Sequence, residues 1–296
     1  MMRILRLTIV TILLAACTQP TLSPTITVKP PTPTATPTTI SVTGTPEPFT
    51  TTTPVIVIED PNPSFTSTPK PPQFSLPKEK VAIRRPAAGS NVTSPFRVNG
   101  YAGPSWNNRV ELRLIGEDGR EISRKIAYLL SLPGNAGPFT IEMDFETDLV
   151  AESARLEVSI FNKDDTQLDH VSSVDLILLS IGAPRSHWTI HGPEQIHILS
   201  PKEYERIEGG FVSVSGVGWT KSETPLRIEV LDREGNVVGS TTAQIDAEGP
   251  DQAGTFEVQV QYQIDQSQRG RVVVYEPALD IPGMIHYASV LVNLRP

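Results

Sequence analysis

Residues 81–102 read VAIRRPAAGSNVTSPFRVNGYA, and this stretch decides the fold class. From Phe96 to Gly100 the residues alternate, so that every second side chain points to the same side of the chain. A period of two with polar residues between the apolar ones indicates a β-strand with one buried and one solvated face. The stretch therefore predicts short strands rather than a helix.

The same alternation continues along the chain to Pro296. It recurs in the runs 110–114 and 174–178, and no segment shows a sustained helical period. Turn-forming residues such as those at 117–119 separate the runs at intervals that suit a β-sandwich. The whole region from about residue 79 onward is therefore predicted to be all-β.

The second half of this region repeats the first at an offset of about 116 residues. The pattern of Phe96–Gly100 returns in Val212–Gly216, and His170 with the apolar run after it returns at His286. The offset drifts by one residue in loops, as insertions would make it do. A tandem duplication of one all-β domain explains this pattern.

The two copies are predicted to be separate domains at residues 79–181 and 194–296. The boundary is placed at 182–193, where Gly-Ala-Pro and His-Gly-Pro sequences interrupt the strands. Each copy has about 100 residues, which is enough for a hydrophobic core of its own.

The opening of the first copy carries a family resemblance. Its motif consists of Val81-Ala82-Ile83, Pro86, Gly89-Ser90, Val92, Ser94-Pro95-Phe96, Val98, Gly100 and Ala102. This pattern resembles the start of the immunoglobulin-like domain of bacterial spore-germination proteins. The second copy departs from it, because Lys202–Arg206 replaces the glycine–serine turn and Gly210-Phe211 replaces Pro95-Phe96. The resemblance implies two tandem immunoglobulin-like β-sandwiches outside the cytoplasmic membrane.

Cys17, the only cysteine of the chain, stands at a predicted lipidation site. Arg3 and Arg6 precede a short apolar run, as in a secretory signal peptide. Residues 14–17 read LAAC and resemble the lipobox of bacterial lipoproteins, in which the cysteine is diacylated and becomes the first mature residue. Residues 1–16 are thus predicted to be a signal peptide, and the protein to be anchored on the outer side of the cell membrane or outer membrane. The alternatives are an ordinary signal peptide with a chance cysteine, or a signal anchor.

Residues 17–78 comprise the lipidated cysteine and a predicted disordered stalk. Proline and threonine make up about half of the stalk, and large apolar side chains are few. Proline lacks the backbone donor, and so little apolar surface does not offset the entropy lost on ordering. The segment is therefore predicted to be a spacer that holds the folded part away from the membrane.

The composition argues against several function classes. The formal net charge is −8 and no arginine-rich stripe is present, so nucleic acid is not an expected partner. No serine lies in a Gly-x-Ser-x-Gly sequence and no His-Glu-x-x-His sequence occurs. We therefore expect no enzyme activity, no catalytic residues and no cofactor.

The histidines do not predict a metal site. His187, His191 and His197 lie close together in sequence, but the glycine and proline at 192–193 argue against a helix that would align them. His170 and His286 occupy equivalent positions before the last strand of each copy, where a role at a turn or strand edge is expected.

Two tryptophans are the candidate binding residues. Trp106 and Trp219 each follow the glycine that ends the second strand of a copy. Such residues either cap their own core or, if exposed, stack on a sugar ring or anchor a protein partner. The predicted function is non-enzymatic binding or scaffolding of an envelope protein. The alternative is a glycan-binding or cell-wall-binding module that uses these tryptophans.

Overall fold

The computed structural model describes residues 75–162, 166–220, 224–249 and 251–296. The predicted signal peptide, Cys17 and nearly all of the predicted stalk therefore lie outside the described residues. The described part consists of β-strands and their connections, with one short 3-10 turn at Trp106–Asn108. No helix in these ranges has the length and apolar character needed to span a membrane.

The first copy forms a β-sandwich. Its strands are β1 (Val81–Arg85), β2 (Ser90–Thr93), β3 (Phe96–Ala102), β4 (Arg109–Gly116), β5 (Glu121–Tyr128), β6 (Gly137–Met143), β7 (Ala151–Phe161) and β8 (Leu168–Leu179). One sheet has the order β1-β3-β6, and the other the order β5-β4-β7-β8, with β2 parallel to β8. The alternating apolar residues of both sheets form a single core between them.

The second copy repeats this topology. Its strands are β9 (Ile196–Ser200), β10 (Arg206–Ile207), β11 (Phe211–Gly218), β12 (Leu226–Leu231), β13 (Val237–Ala243), β14 (Gly254–Gln261), β15 (Gln268–Pro277) and β16 (Met284–Leu294). The sheets have the orders β9-β11-β14 and β13-β12-β15-β16, with β10 parallel to β16. A second core lies between them. The predicted fold class of two tandem immunoglobulin-like sandwiches is confirmed.

Both copies pack a buried phenylalanine over a glycine of the neighbouring strand. In the first copy the Phe139 ring covers Gly100, and in the second the Phe256 ring covers Gly216. A Cβ on Gly100 would meet this ring and would lie 2.6 Å from the carbonyl oxygen of Ala82. The glycine that recurs in the repeat is therefore required by the close approach of ring and backbone.

The two copies are joined through their last strands. β8 and β16 pair in antiparallel fashion, with Val171 opposite Tyr287, so the larger sheets of the two copies are continuous. Val171, Val273 and Tyr287 form a small buried cluster at this junction. It buries apolar surface of both copies and stabilises their contact.

Equivalent residues of the two copies make equivalent contacts at the junction. The Ser173 hydroxyl donates to the Ile285 carbonyl at 3.0 Å, and the Ser289 hydroxyl donates to the Asp169 carbonyl at 2.9 Å. Ser289 and Ile285 follow Ser173 and Asp169 by the repeat offset. The junction thus has the two-fold character of an isologous dimer contact within one chain.

The predicted boundary segment, 182–193, lies along the first sandwich. The Thr189 amide donates to the Arg84 carbonyl at 2.9 Å, and Asn91 and Arg185 form a β-bridge. The segment is therefore a packed connection. The domain limits 79–181 and 194–296 stay a prediction.

Candidate functional site

His170 and His286 meet at the junction of the two copies. They lie inside β8 and β16, rather than before these strands as predicted, and are 3% and 1% exposed. Because β8 and β16 pair as antiparallel strands at this point, the repeat brings the two rings together. Their Nε2 atoms are 3.1 Å apart and the rings meet edge to face.

Glu194 completes a buried triangle with the two imidazoles. Its Oε1 atom lies 3.1 Å from Nε2 of His170 and 2.6 Å from Nε2 of His286. Its Oε2 atom accepts a hydrogen bond from the Lys80 amide at 2.8 Å, which fixes the orientation of the carboxylate. The three side chains can together hold a metal ion.

The backbone that carries Glu194 also follows the approximate two-fold symmetry. The Glu194 amide donates to the Pro77 carbonyl at 2.7 Å, and the Glu79 amide donates to the Gly192 carbonyl at 3.2 Å. Glu79 and Glu194 precede the first strand of their copies by the same distance. Two equivalent glutamates therefore precede β1 and β9, and both line the same cavity as His170.

Burial and neighbouring charge perturb the acid–base behaviour of these groups. Burial, together with the negative charge of Glu194, raises the pKa of the Glu79 carboxyl to about 7. Burial alone would raise the pKa of Glu194, but the charge of His170 and hydrogen bonds from both imidazoles outweigh burial and lower it. Complete burial lowers the pKa of His286, which favours the neutral ring.

A second set of charged residues surrounds the triangle. Asp169 forms ion pairs with Lys80 and with the buried Arg271, whose Nη1 is 3.5 Å from Oδ1 of Asp169. Gln195 donates to the buried Glu276 carboxylate on the other side. These partners neutralise much of the charge around the site and hold its walls in place.

The triangle borders a cavity of about 620 Å³ between the two copies. Its walls include Glu79, Tyr101, His191 and His197. The His191 ring nitrogen Nε2 lies 2.7 Å from the Glu79 carbonyl oxygen, and this contact orients the ring. A small molecule or hydrated ion entering the cavity would therefore meet imidazole and carboxylate groups together.

The predicted binding residues lie elsewhere. Trp106 is in the 3-10 turn after β3, and Trp219 follows β11, where its amide donates to the Gln195 carbonyl at 3.0 Å. Both side chains are partly buried, and neither belongs to a core cluster or to the cavity wall. Their role in binding stays a prediction, as does the lipidation of Cys17.

Sequence reasoning missed the buried triangle, although one signal for it existed. Extending the repeat alignment upstream of the first strand would have paired Glu79 with Glu194 at the offset that pairs Val81 with Ile196. Together with the pair His170 and His286, this makes two duplicated ionisable positions. Duplicated ionisable residues near a shared interface are candidates for a common site.

Comparisons with known proteins support the fold. A family model described as the immunoglobulin-like domain of bacterial spore germination (Gmad2) matches residues 80–167 and 195–279, together more than half of the chain. No curated protein matches the sequence.

Among solved structures, red sea bream transglutaminase is 9% identical, with a TM-score of 0.25 over 73% of this chain and 31% of that one. An ectodomain fragment of ICAM-5 is 14% identical, with a TM-score of 0.20 over 72% of this chain and 53% of that one. The chain thus spans about a third of the transglutaminase and about half of the ICAM-5 fragment. TM-scores this low do not establish a shared fold or a shared function. The two segments matched by the family model, with the duplicated sandwich topology, show that the chain belongs to the family of immunoglobulin-like domains of bacterial spore germination.

Proposed function

We propose that this protein is a non-enzymatic, lipid-anchored protein of the cell envelope whose paired immunoglobulin-like domains bind another envelope protein. Domains of this family are a non-catalytic type, which supports a binding or scaffolding role. The lipobox-like sequence ending at Cys17 supports the anchor, since two acyl chains hold a protein stably on a membrane. The proline- and threonine-rich segment would then act as the spacer.

The observation that carries the protein-binding role is an apolar row that begins on the edge strand β5 and continues just beyond its end. Ile126, Tyr128 and Leu130 alternate with buried residues and are 42%, 62% and 75% exposed. β5 pairs with β4 on one side, and no other described strand pairs with its far side. A free strand edge beside exposed apolar side chains is suited to binding an extended polypeptide as an additional strand.

The second copy shows that the fold does not require this row. The equivalent positions are Thr242, Gln244 and Asp246, which are exposed and polar. The equivalence follows from hydrogen bonding, because Leu130 donates to Pro138 as Asp246 donates to Thr255. The same sandwich is thus built with a polar edge in one copy and an apolar edge in the other. An apolar surface that stability does not require supports a role in binding.

Glycan recognition by Trp106 and Trp219 is the competing function. Sugar-binding sites present an aromatic face to solvent. Both tryptophans are partly buried, whereas Tyr128 and Leu130 of the apolar row are 62% and 75% exposed. Between these two tryptophans and the apolar row, the exposed side chains therefore favour a polypeptide partner.

The test replaces the apolar row with the residues found at the equivalent positions of the second copy. This edge-exchanged chain carries Ile126→Thr, Tyr128→Gln and Leu130→Asp. It is compared with the unaltered chain as bait for solubilised envelope proteins and for purified cell wall. A Trp106→Ala, Trp219→Ala chain serves as the second bait.

The proposal predicts that the unaltered chain and the tryptophan-substituted chain both capture one envelope protein, whereas the edge-exchanged chain does not. The edge-exchanged chain should still unfold cooperatively, so that lost binding is not lost folding. Retention of cell wall that disappears only in the tryptophan-substituted chain would instead establish glycan binding. A concentration-dependent dimer abolished by the edge exchange would identify a second copy as the strand partner.

A further inference from the structure

We propose that His170, His286 and Glu194 bind a divalent transition-metal ion, for which zinc fits best, and that this ion links the two immunoglobulin-like domains. The ligands come from β8 of the first copy, β16 of the second and the segment that precedes β9. The proposal goes beyond the binding of an envelope protein and is independent of it.

Proton positions explain why a cation suits the triangle better than hydrogen bonds alone. Nε2 of His170 lies 3.1 Å from Nε2 of His286 and 3.1 Å from Oε1 of Glu194. Nε2 of His286 lies 2.6 Å from the same oxygen. Each neutral imidazole can place at most one proton on Nε2. If both protons point to the carboxylate, two donors face each other across the imidazole contact. If one proton points to the other ring, a nitrogen lone pair faces the carboxylate. A metal ion satisfies all three contacts, because all three atoms then offer lone pairs.

The dimensions of the triangle are compatible with such an ion. A circle through the three atoms has a radius of about 1.7 Å, which is shorter than zinc bonds of about 2.0–2.1 Å to nitrogen or oxygen. An ion slightly out of the plane can thus reach all three atoms. Tetrahedral zinc separates its ligand atoms by about 3.3 Å, so the Glu194–His286 contact would lengthen on binding.

The chemistry of the donors selects the class of metal. Imidazole nitrogen suits zinc, copper, iron and nickel, and two histidines with one carboxylate form a zinc set that leaves a fourth position open. The surroundings also fit, since the second carboxylate oxygen of Glu194 is held by the Lys80 amide. Such outer hydrogen bonds orient metal ligands. The cavity that contains Glu79 adjoins the triangle and can supply the fourth ligand.

The position at the junction defines what the ion would do. The triangle lies beside the β8–β16 pairing and the apolar cluster of Val171, Val273 and Tyr287. Bonds from both copies to one ion would oppose their separation. Because an ion that binds only the folded, joined state stabilises it, zinc at a hundredfold excess over its Kd should raise Tm by about 5–10 °C.

Zinc binding is measured on the full chain in a Cys17→Ser background, because a free thiol can bind zinc and Cys17 is the only thiol of the chain. The protein carries no histidine tag and is stripped with a chelator before dialysis against micromolar zinc chloride. Elemental analysis should then find one zinc per chain. His286→Gln and Glu194→Gln should each reduce this stoichiometry at least tenfold. His187→Gln, in the exposed connection, is the matched control and should retain one zinc.

Three results would overturn the proposal. The first is that the Cys17→Ser chain retains no zinc after dialysis. The second is that His286→Gln and Glu194→Gln retain as much zinc as that chain, which would place the ion elsewhere. The third is a zinc ion bound by fewer than two imidazoles. Should the buried substitutions prevent folding, X-ray absorption at the zinc edge of the otherwise unaltered chain decides the matter. Two imidazoles per zinc support the site, and fewer than two contradict it.

Discussion

Replacing Gly100 with alanine should destabilise the first sandwich. The added Cβ would meet the Phe139 ring and would lie 2.6 Å from the Ala82 carbonyl oxygen. Backbone atoms of β1 cannot move aside without disturbing the β1–β3 pairing. Overpacking of a core typically costs about 1–3 kcal/mol, and alanine in a strand recovers about 0.5–1 kcal/mol of backbone entropy. A net loss of free energy of unfolding of about 1 kcal/mol, and at most about 2.5 kcal/mol, is therefore expected.

Urea denaturation of the full chain, followed by circular dichroism, measures this loss. Gly249→Ala is the matched control, because a Cβ there meets nothing closer than 3.8 Å. It should leave the free energy of unfolding unchanged or raise it by about 0.4–1 kcal/mol through the unfolded state. Gly216→Ala should affect the second sandwich as Gly100→Ala affects the first, because Phe256 covers Gly216.

The reasoning is refuted if Gly100→Ala unfolds at the same urea concentration as Gly249→Ala. A double-substituted chain with Gly100→Ala and Phe139→Leu adds a further check. The smaller, flexible side chain should relieve part of the clash, so the two changes should be coupled by about 0.5 kcal/mol or more.

Three further outcomes are expected. Cys17→Ser should release the protein from membranes, because no other thiol can take the lipid, and unchanged labelling with a radioactive fatty acid would contradict the anchor. Tyr287→Asp should place a charge in the apolar cluster at the junction and lower the free energy of unfolding by about 2–4 kcal/mol; unaltered unfolding would show that the junction contributes little. Limited proteolysis should trim the chain to a core that starts near residues 78–81, and a stable fragment starting before Thr66 would contradict the predicted stalk.

The sequence predicted the sandwiches well, because strand alternation and turns are local signals. The Phe96–Gly100 pattern identifies β3 by itself, and the repeat then assigns β11. The contact of His170 with His286 depends on how β8 lies against β16, a pairing across more than a hundred residues that leaves no local periodicity. Glu194 likewise precedes its strand, in a segment whose sequence indicates only a turn.

The exposed row on β5 was missed for a different reason. Ile126, Tyr128 and Leu130 alternate in the same way as core residues, so the sequence alone does not distinguish the face they occupy. Only the packing of Ala127 and Leu129 into the core shows that the alternate side chains point to solvent. Comparison with the exposed polar residues Thr242, Gln244 and Asp246 then shows that the sandwich forms without apolar side chains at these positions.

The joining of β8 to β16 has a consequence for relatives with a single copy of this domain. Each copy covers the edge of its last strand with the same edge of the other, so one chain contains the contact that a symmetric dimer would form between two. A solitary domain with the same last strand would leave that edge uncovered. Uncovered strand edges pair with other chains. The first sandwich produced alone is therefore expected to form a symmetric pair in which one His170 faces another.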